Sequence, residues 1–183
     1  REYAWLTGDV RAEDRATQYG HRAAIVLFTG SAQTGKTFLA RRVEALLVAD
    51  SRHAYLLEGE NLLQGLDADL SAADPSFAAE RVRRYGEVAR LLIDTGLIVV
   101  STSKTFGINY QRMAEMIRTL VQPAPVIAVH MSRAGEEPPP NTDLHFAGPQ
   151  DFDAAARQIL EELKRRGVLI QPSGTKSTIQ YSI

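Results

Sequence analysis

Cysteine is absent from the 183-residue chain, which excludes disulfides, thiolate nucleophiles and every cysteine-ligated zinc or iron–sulfur centre. A cationic excess is also missing. The 21 Lys and Arg residues against 22 Asp and Glu leave a formal charge of −1, which argues against a nucleic-acid surface. No apolar run approaches the roughly 20 residues of a membrane-spanning helix. The opening REYAWLTGDV is mixed polar and apolar, unlike a secretory leader. What remains is 44% apolar and 23% charged, enough for one full-sized core. The expectation is a cytoplasmic protein with one domain over residues 1–170 and a polar tail over 171–183. Because the first residue is Arg1 and not Met, a segment of a longer protein is also expected.

Strand-like and helix-like runs alternate along the chain, the pattern of a parallel sheet covered by helices. Continuous apolar runs predict strands at Ala23–Phe28 and Leu97–Val100, and further strands are expected at His53–Leu57, at Pro125–Val129 after two prolines and, last and short, at Leu144–Phe146. Helical spacing predicts helices over Lys36–Ala49, Phe77–Asp94 and Asn109–Val121. A final helix is expected after Asp151 as N-cap, with Lys164, Arg165 and Arg166 in solvent at its last turn and Gly167 ending it. Met131–Thr142, with three consecutive prolines, reads as a loop. Ile179, Tyr181 and Ile183 alternate well enough to pair along a sheet edge. The fold class that follows is α/β, a three-layer P-loop arrangement with helices on both faces of a parallel sheet.

The sharpest motif is Gly30-Ser31-Ala32-Gln33-Thr34-Gly35-Lys36-Thr37, which fits G-x-x-x-x-G-K-[ST]. At ordinary residue frequencies its four fixed positions arise by chance in roughly one chain of this size per hundred. Here it also lies between a buried strand and an amphipathic helix, as its chemistry requires. The turn's N–H groups and the helix N-terminus cradle a polyphosphate. Lys36 would bridge the β- and γ-phosphates, and the Thr37 hydroxyl would ligate Mg²⁺. No N-K-x-D motif for reading guanine occurs, so a GTPase is not expected. Asp94 closes a helix and reads as a helix-end residue more readily than as a metal ligand. Glu58-Gly59-Glu60-Asn61, after the second strand, can face the γ-phosphate, where carboxylates orient Mg²⁺ or accept a proton from a hydroxyl. A solvated acidic turn is the other reading of that block.

Several blocks together resemble the adenylylsulfate kinase family. They are Trp5 followed by Val10–Ala16 and Gly20-His21-Arg22-Ala23, then Phe28-Thr29-Gly30, then Glu58-Gly59-Glu60-Asn61 with Gly65-Leu66. Arg83-Arg84-Tyr85-Gly86-Glu87-Val88-Ala89 and Gly96-Leu97-Ile98-Val99 complete the series, over about residues 3–166. The resemblance implies ATP, Mg²⁺ and phosphoryl transfer to the 3′-hydroxyl of adenylylsulfate. It implies that Gly30, Gly35, Lys36 and Thr37 hold phosphate and metal. Glu58 stands at the catalytic aspartate's position, Glu60 at the second acidic position with Asn61 beside it, and Arg83 at an acceptor-contacting arginine. A homodimer, and fusion to or association with a sulfate adenylyltransferase, are the partners implied.

The chain also departs from the family pattern. Both aspartates are glutamates, and Leu63, Arg81 and Ala72-Ala73 replace acceptor-side residues. Taken singly, Leu63 reads as core packing, Arg81 as an exposed helix charge and Lys104 as a solvated loop lysine. The four histidines, His21, His53, His130 and His145, read as structural. Only Met131–Thr142 stands where the family has a long basic lid, with Arg133-Ala134-Gly135 resembling a remnant of it. Three functions therefore stay open: an active adenylylsulfate kinase, a kinase-like nucleotide-binding regulatory domain without transfer, and a P-loop kinase for another small acceptor.

Overall fold

The structure is a computed structural model that describes residues 6, 8–102, 110–148 and 151–170. Its centre is β1 (Ala24–Gly30), whose seven residues are all buried. Successive side chains of a strand point to opposite faces, so this one segment serves two cores. Ala24, Val26 and Phe28 join one apolar cluster, and Ile25 and Leu27 join the other. Around β1 the chain places α1 (Ala12–Tyr19), α2 (Lys36–Ala49), β2 (Ala54–Glu58), α3 (Gly59–Leu62), α4 (Phe77–Asp94) and β3 (Ile98–Thr102). Then follow α5 (Tyr110–Val121), β4 (Val126–Ser132), β5 (Leu144–Ala147) and α6 (Phe152–Arg165).

The five strands form one sheet in the order β2-β3-β1-β4-β5, every pair parallel. Helices α2 and α6 cover one face through Leu39, Val43, Ile159 and Leu163. Helices α4 and α5 cover the other through Val82, Tyr85, Met113 and Ile117. This is the expected three-layer architecture. Each predicted strand and helix is present among the described residues: α2 and α4 have the predicted bounds, α5 begins one residue later, and the strand ends shift by up to three residues. The strands reach further at their C-terminal ends than hydropathy suggests: β1 runs through Thr29 and Gly30, β3 through Ser101 and Thr102, and β4 through Ser132. Met131 and Ser132 therefore belong to the sheet, and the expected loop begins only at Arg133.

Two single-residue expectations need correction. Leu63 is 39% exposed and packs into neither core, because it sits just past the short α3 where the chain turns outward. Arg81 is buried at 5% exposure, facing Asp67 at 3.5 Å with its guanidinium 5.5 Å from the Phe77 ring centroid. The basic end of α6 is exposed, as read, and makes surface ion pairs: Lys164 with Glu161, Arg165 with Glu162, and Arg166 with both Glu162 and Asp143. The caps of α6 are as read. The Asp151 carboxylate accepts from the N–H groups of Asp153 and Ala154, and Gly167 follows with φ +70°. Lys104, the alternation of Ile179, Tyr181 and Ile183, and the tail over 171–183 lie outside the described residues.

The histidines are distant in sequence but meet in space. Tyr19, His21 and His53 cluster at the start of the sheet, and His130 lies 5.9 Å from His145 at its far end. His21 is fully buried. Its Nδ1–H donates to the Arg22 carbonyl and its Nε2 accepts from the His53 N–H, which fixes a neutral imidazole. Burial, the largest influence, lowers the His21 and His130 pKa values from the ordinary 6.5. The unfolded chain binds these protons near 6.5 while the folded chain still refuses them. Stability therefore falls as pH drops below about 6.5 and levels off once the folded-state values are passed. A melting temperature measured from about pH 7.5 down to about pH 5 should decline, and His21→Gln should flatten that decline.

Candidate active site

The phosphate-binding motif sits where an open parallel sheet places ligands, at the C-terminal ends of its strands beside the point where strand order reverses. Gly30 ends β1 with φ +124°, and a Cβ there would lie 1.8 Å from the Met131 carbonyl oxygen. Only glycine allows β1 and β4 to run this close before the chain turns. Gly35 caps α2 at φ +87°, with the Phe152 ring against it. Between them Ala32 and Gln33 are exposed, Gln33 has φ +62°, and the Thr34 hydroxyl donates to the Ser31 carbonyl at 2.9 Å.

Lys36 lies across this turn. It is 8% exposed, and its Nζ donates to the Gly30 carbonyl at 2.9 Å and to the Ser31 carbonyl. Burial lowers its pKa from the ordinary 10.5, while the nearby Glu60 carboxylate acts in the opposite sense. The Gly30 carbonyl also accepts from the Tyr110 hydroxyl at 2.7 Å. Tyr110 escapes sequence reasoning, because one tyrosine at the start of an amphipathic helix carries no signal of its partner 80 residues earlier.

Glu58 is the last residue of β2 and the N-cap of α3. Parallel pairing aligns it with Thr102 of β3, which in turn aligns with Phe28 of β1, so all three strand ends open onto the P-loop. Glu58 Oε1 is buried without a hydrogen-bond partner, although Arg41 of α2 approaches it at 3.6 Å. The Thr102 hydroxyl is likewise buried with no partner. Orphaned buried oxygens carry a desolvation cost and mark where a ligand would complete the bonding. A hydroxyl and a carboxylate oxygen are hard donors suited to Mg²⁺, so this strand end fits the metal that the motif implies.

The structure thus brings together residues 30–37 with Glu58 and Glu60. Asn61 is exposed on α3. Arg83 stands apart: it is held by Glu80 through two 2.7 Å hydrogen bonds and lines a shallow groove with Arg112, Glu115 and Met116. Asp94 is the last residue of α4, as read. The short segment after β4 bears on the P-loop with an acid and not with lid cations. The Ser31 hydroxyl donates to the Glu136 carboxylate, which also accepts from the Arg133 N–H at 3.1 Å. The Ser31 hydrogen bond is the chief reason the Glu136 pKa lies below its ordinary value.

A P-loop, a buried lysine and a pair of acids at the end of β2, one strand removed from the P-loop strand, define a P-loop kinase. Residues 22–138 match the family model described as adenylylsulphate kinase. An adenylyl-sulfate kinase of Yersinia pestis is 29% identical over 194 residues, spanning 90% of this chain and 89% of that one. One from Shewanella amazonensis is 38% identical over 128 residues, spanning 70% of this chain and 63% of that protein. Among solved structures, an APS kinase of Mycobacterium tuberculosis aligns with a TM-score of 0.68 at 29% identity, over 79% of this chain and 99% of the other. A second structure from that organism, in complex with AMPPNP and APS, aligns at 24% identity with a TM-score of 0.65, over 79% of this chain and 99% of the other. The chain belongs to the adenylylsulphate kinase family. Its activity is that of an adenylylsulfate kinase, a phosphotransferase of sulfate assimilation. Among the described residues no helix is long and apolar enough to cross a membrane.

Proposed function

We propose that the chain transfers the γ-phosphoryl group of ATP to the 3′-hydroxyl of adenylylsulfate, with the residues at the P-loop and at the end of β2 as its machinery. The observation that carries this reading is Lys36 laid across the loop under the influence of the Glu60 carboxylate, with a buried, unsatisfied Glu58 oxygen two residues before that acid at the end of β2. N–H groups of residues 31–37 and the N-terminus of α2 bind the polyphosphate, and Lys36 meets the charge that builds on its outer oxygens. Thr37 and Glu58 would hold Mg²⁺. When bound, the metal neutralises the β- and γ-phosphate oxygens. The acceptor's 3′-oxygen bonds to the γ-phosphorus, the bond to the bridging oxygen of ADP breaks, and the hydroxyl proton passes to the Glu58 carboxylate. Glu60 and Asn61 border the acceptor side. Arg83 contacts the acceptor in this reading only if the acceptor extends over α4.

The reading includes a cytoplasmic location and a parent polypeptide or complex that also makes adenylylsulfate. A hexameric APS kinase of Thiobacillus denitrificans, 24% identical with a TM-score of 0.67, supports self-association. The alignment spans 84% of this chain and 31% of that longer one.

A coupled assay for ADP tests the proposal. ADP release should depend on added adenylylsulfate, and Glu58→Gln should lower kcat by about 10²–10⁴-fold while ATP binding measured by calorimetry persists. ADP release indifferent to the acceptor, or equal turnover in the variant, would overturn it in favour of a nucleotide-binding module or another acceptor.

A further inference from the structure

Phe38 is anomalous for a helix that otherwise hides its apolar side chains. It lies two residues beyond Lys36 on the first turn of α2 and is 62% exposed. Its ring centroid is 4.8 Å from that of Phe152, the first residue of α6, with 50° between the planes. The Phe152 ring in turn lies against the N-cap of α2: a Cβ at Gly35 would be 2.6 Å from one of its ring atoms. The two rings are held in place from both sides. Asp151 caps α6 immediately before Phe152, and Asp153 immediately after it forms a 2.6 Å ion pair with Arg42 of α2. An aromatic pair thus stands at the rim of the phosphate cradle, fixed by both helices that build that rim.

We propose that the exposed ring of Phe38, braced from behind by Phe152, is the platform on which the base of the donor nucleotide stacks. The inference rests on the reading that a nucleotide polyphosphate occupies the P-loop, and it adds where the other end of that molecule lies. With the outer phosphates at residues 30–37, the α-phosphate and ribose lead outward past the first turn of α2, where these rings are. An aromatic side chain at such a place suits a planar heterocycle, since stacking removes the facing π surfaces of ring and base from water. Neither ring offers a hydrogen bond that reads a base edge, and stacking tolerates any base because each has a π face. The platform therefore contributes affinity without choosing strongly between adenine and guanine.

The experiment compares ATP with inorganic tripolyphosphate, which has the phosphates and no base. The wild-type chain should bind ATP more tightly than tripolyphosphate. Phe38→Leu, which keeps apolar bulk and removes the π face, should weaken ATP by about 5–100-fold and leave tripolyphosphate unchanged. Phe38→Trp should restore ATP affinity, and its emission should be quenched by ATP but not by tripolyphosphate. A Phe38→Leu chain that binds ATP as the wild type does overturns the platform. Equal weakening of both ligands also overturns it, since that reports a contact that merely pins α6 to α2. Failure of the wild type to bind either ligand removes the nucleotide reading itself, a result distinct from loss of the platform alone.

Discussion

Lys36→Ala should abolish measurable ATP binding and reduce phosphoryl transfer by about 10²–10³-fold or more. Losses of that size follow removal of a single preorganised group that meets developing charge. In the proposed mechanism Lys36 is such a group. It is 8% exposed, its ammonium is fixed on the Gly30 and Ser31 carbonyls, and burial already lowers its pKa. A cation stripped of water and aimed into the cradle spends little on rearrangement when phosphate arrives. The same desolvation makes the residue a burden on the empty protein, so the variant should melt no lower than wild type without nucleotide. Tyr110 still satisfies the Gly30 carbonyl after the substitution, which protects the turn. Calorimetry with ATP and Mg²⁺, together with a thermal melt, checks both halves; retained ATP affinity would refute the assignment of this lysine.

The second large effect concerns stability. Arg81→Met should destabilise the fold by about 3–5 kcal/mol, the usual result of removing one partner of a buried ion pair. Asp67 has a side chain with no exposed surface, and neither carboxylate oxygen has a hydrogen-bond partner, so Arg81 at 3.5 Å is what balances its charge. At about 2–4 °C per kcal/mol for a chain of this size, the melting temperature should fall by roughly 6–20 °C. Adding Asp67→Leu to that variant should recover most of the loss, because two well-packed apolar residues often match a buried pair. A single variant melting within about 2 °C of wild type would show that the pair contributes nothing to stability.

Much of the fold is legible in the sequence because its sheet is parallel and buried on both faces. That burial writes β1, β3 and β4 as continuous apolar runs. The same reasoning misplaces the strand ends for a physical cause. Thr29, Ser101, Thr102, His130 and Ser132 are buried polar residues at the site end of the sheet, and hydropathy reads them as loop. They stay polar because they surround the cradle: Thr29 bonds to His130, and Ser101 to the Tyr85 hydroxyl. The phosphate cradle itself is legible because its chemistry is local, eight residues joined by one turn. The burial of Arg81 is not, because its partner Asp67 lies in an irregular stretch with no periodic mark. Leu63 misleads for the converse reason: an apolar residue beyond a four-residue helix carries no face to bury. Tyr110 and Glu136 reach the P-loop across 80 and 105 positions, and nothing nearby in the sequence announces either.

The register of the central strand has a consequence for how the molecule is made. Ala24 is partnered by Ile98 and Ile25 by Val126, so both neighbours of β1 are synthesised long after it. Since domains acquire structure as the chain leaves the ribosome, the nucleotide cradle must wait, unclamped, until translation has passed β4, about a hundred residues beyond the P-loop.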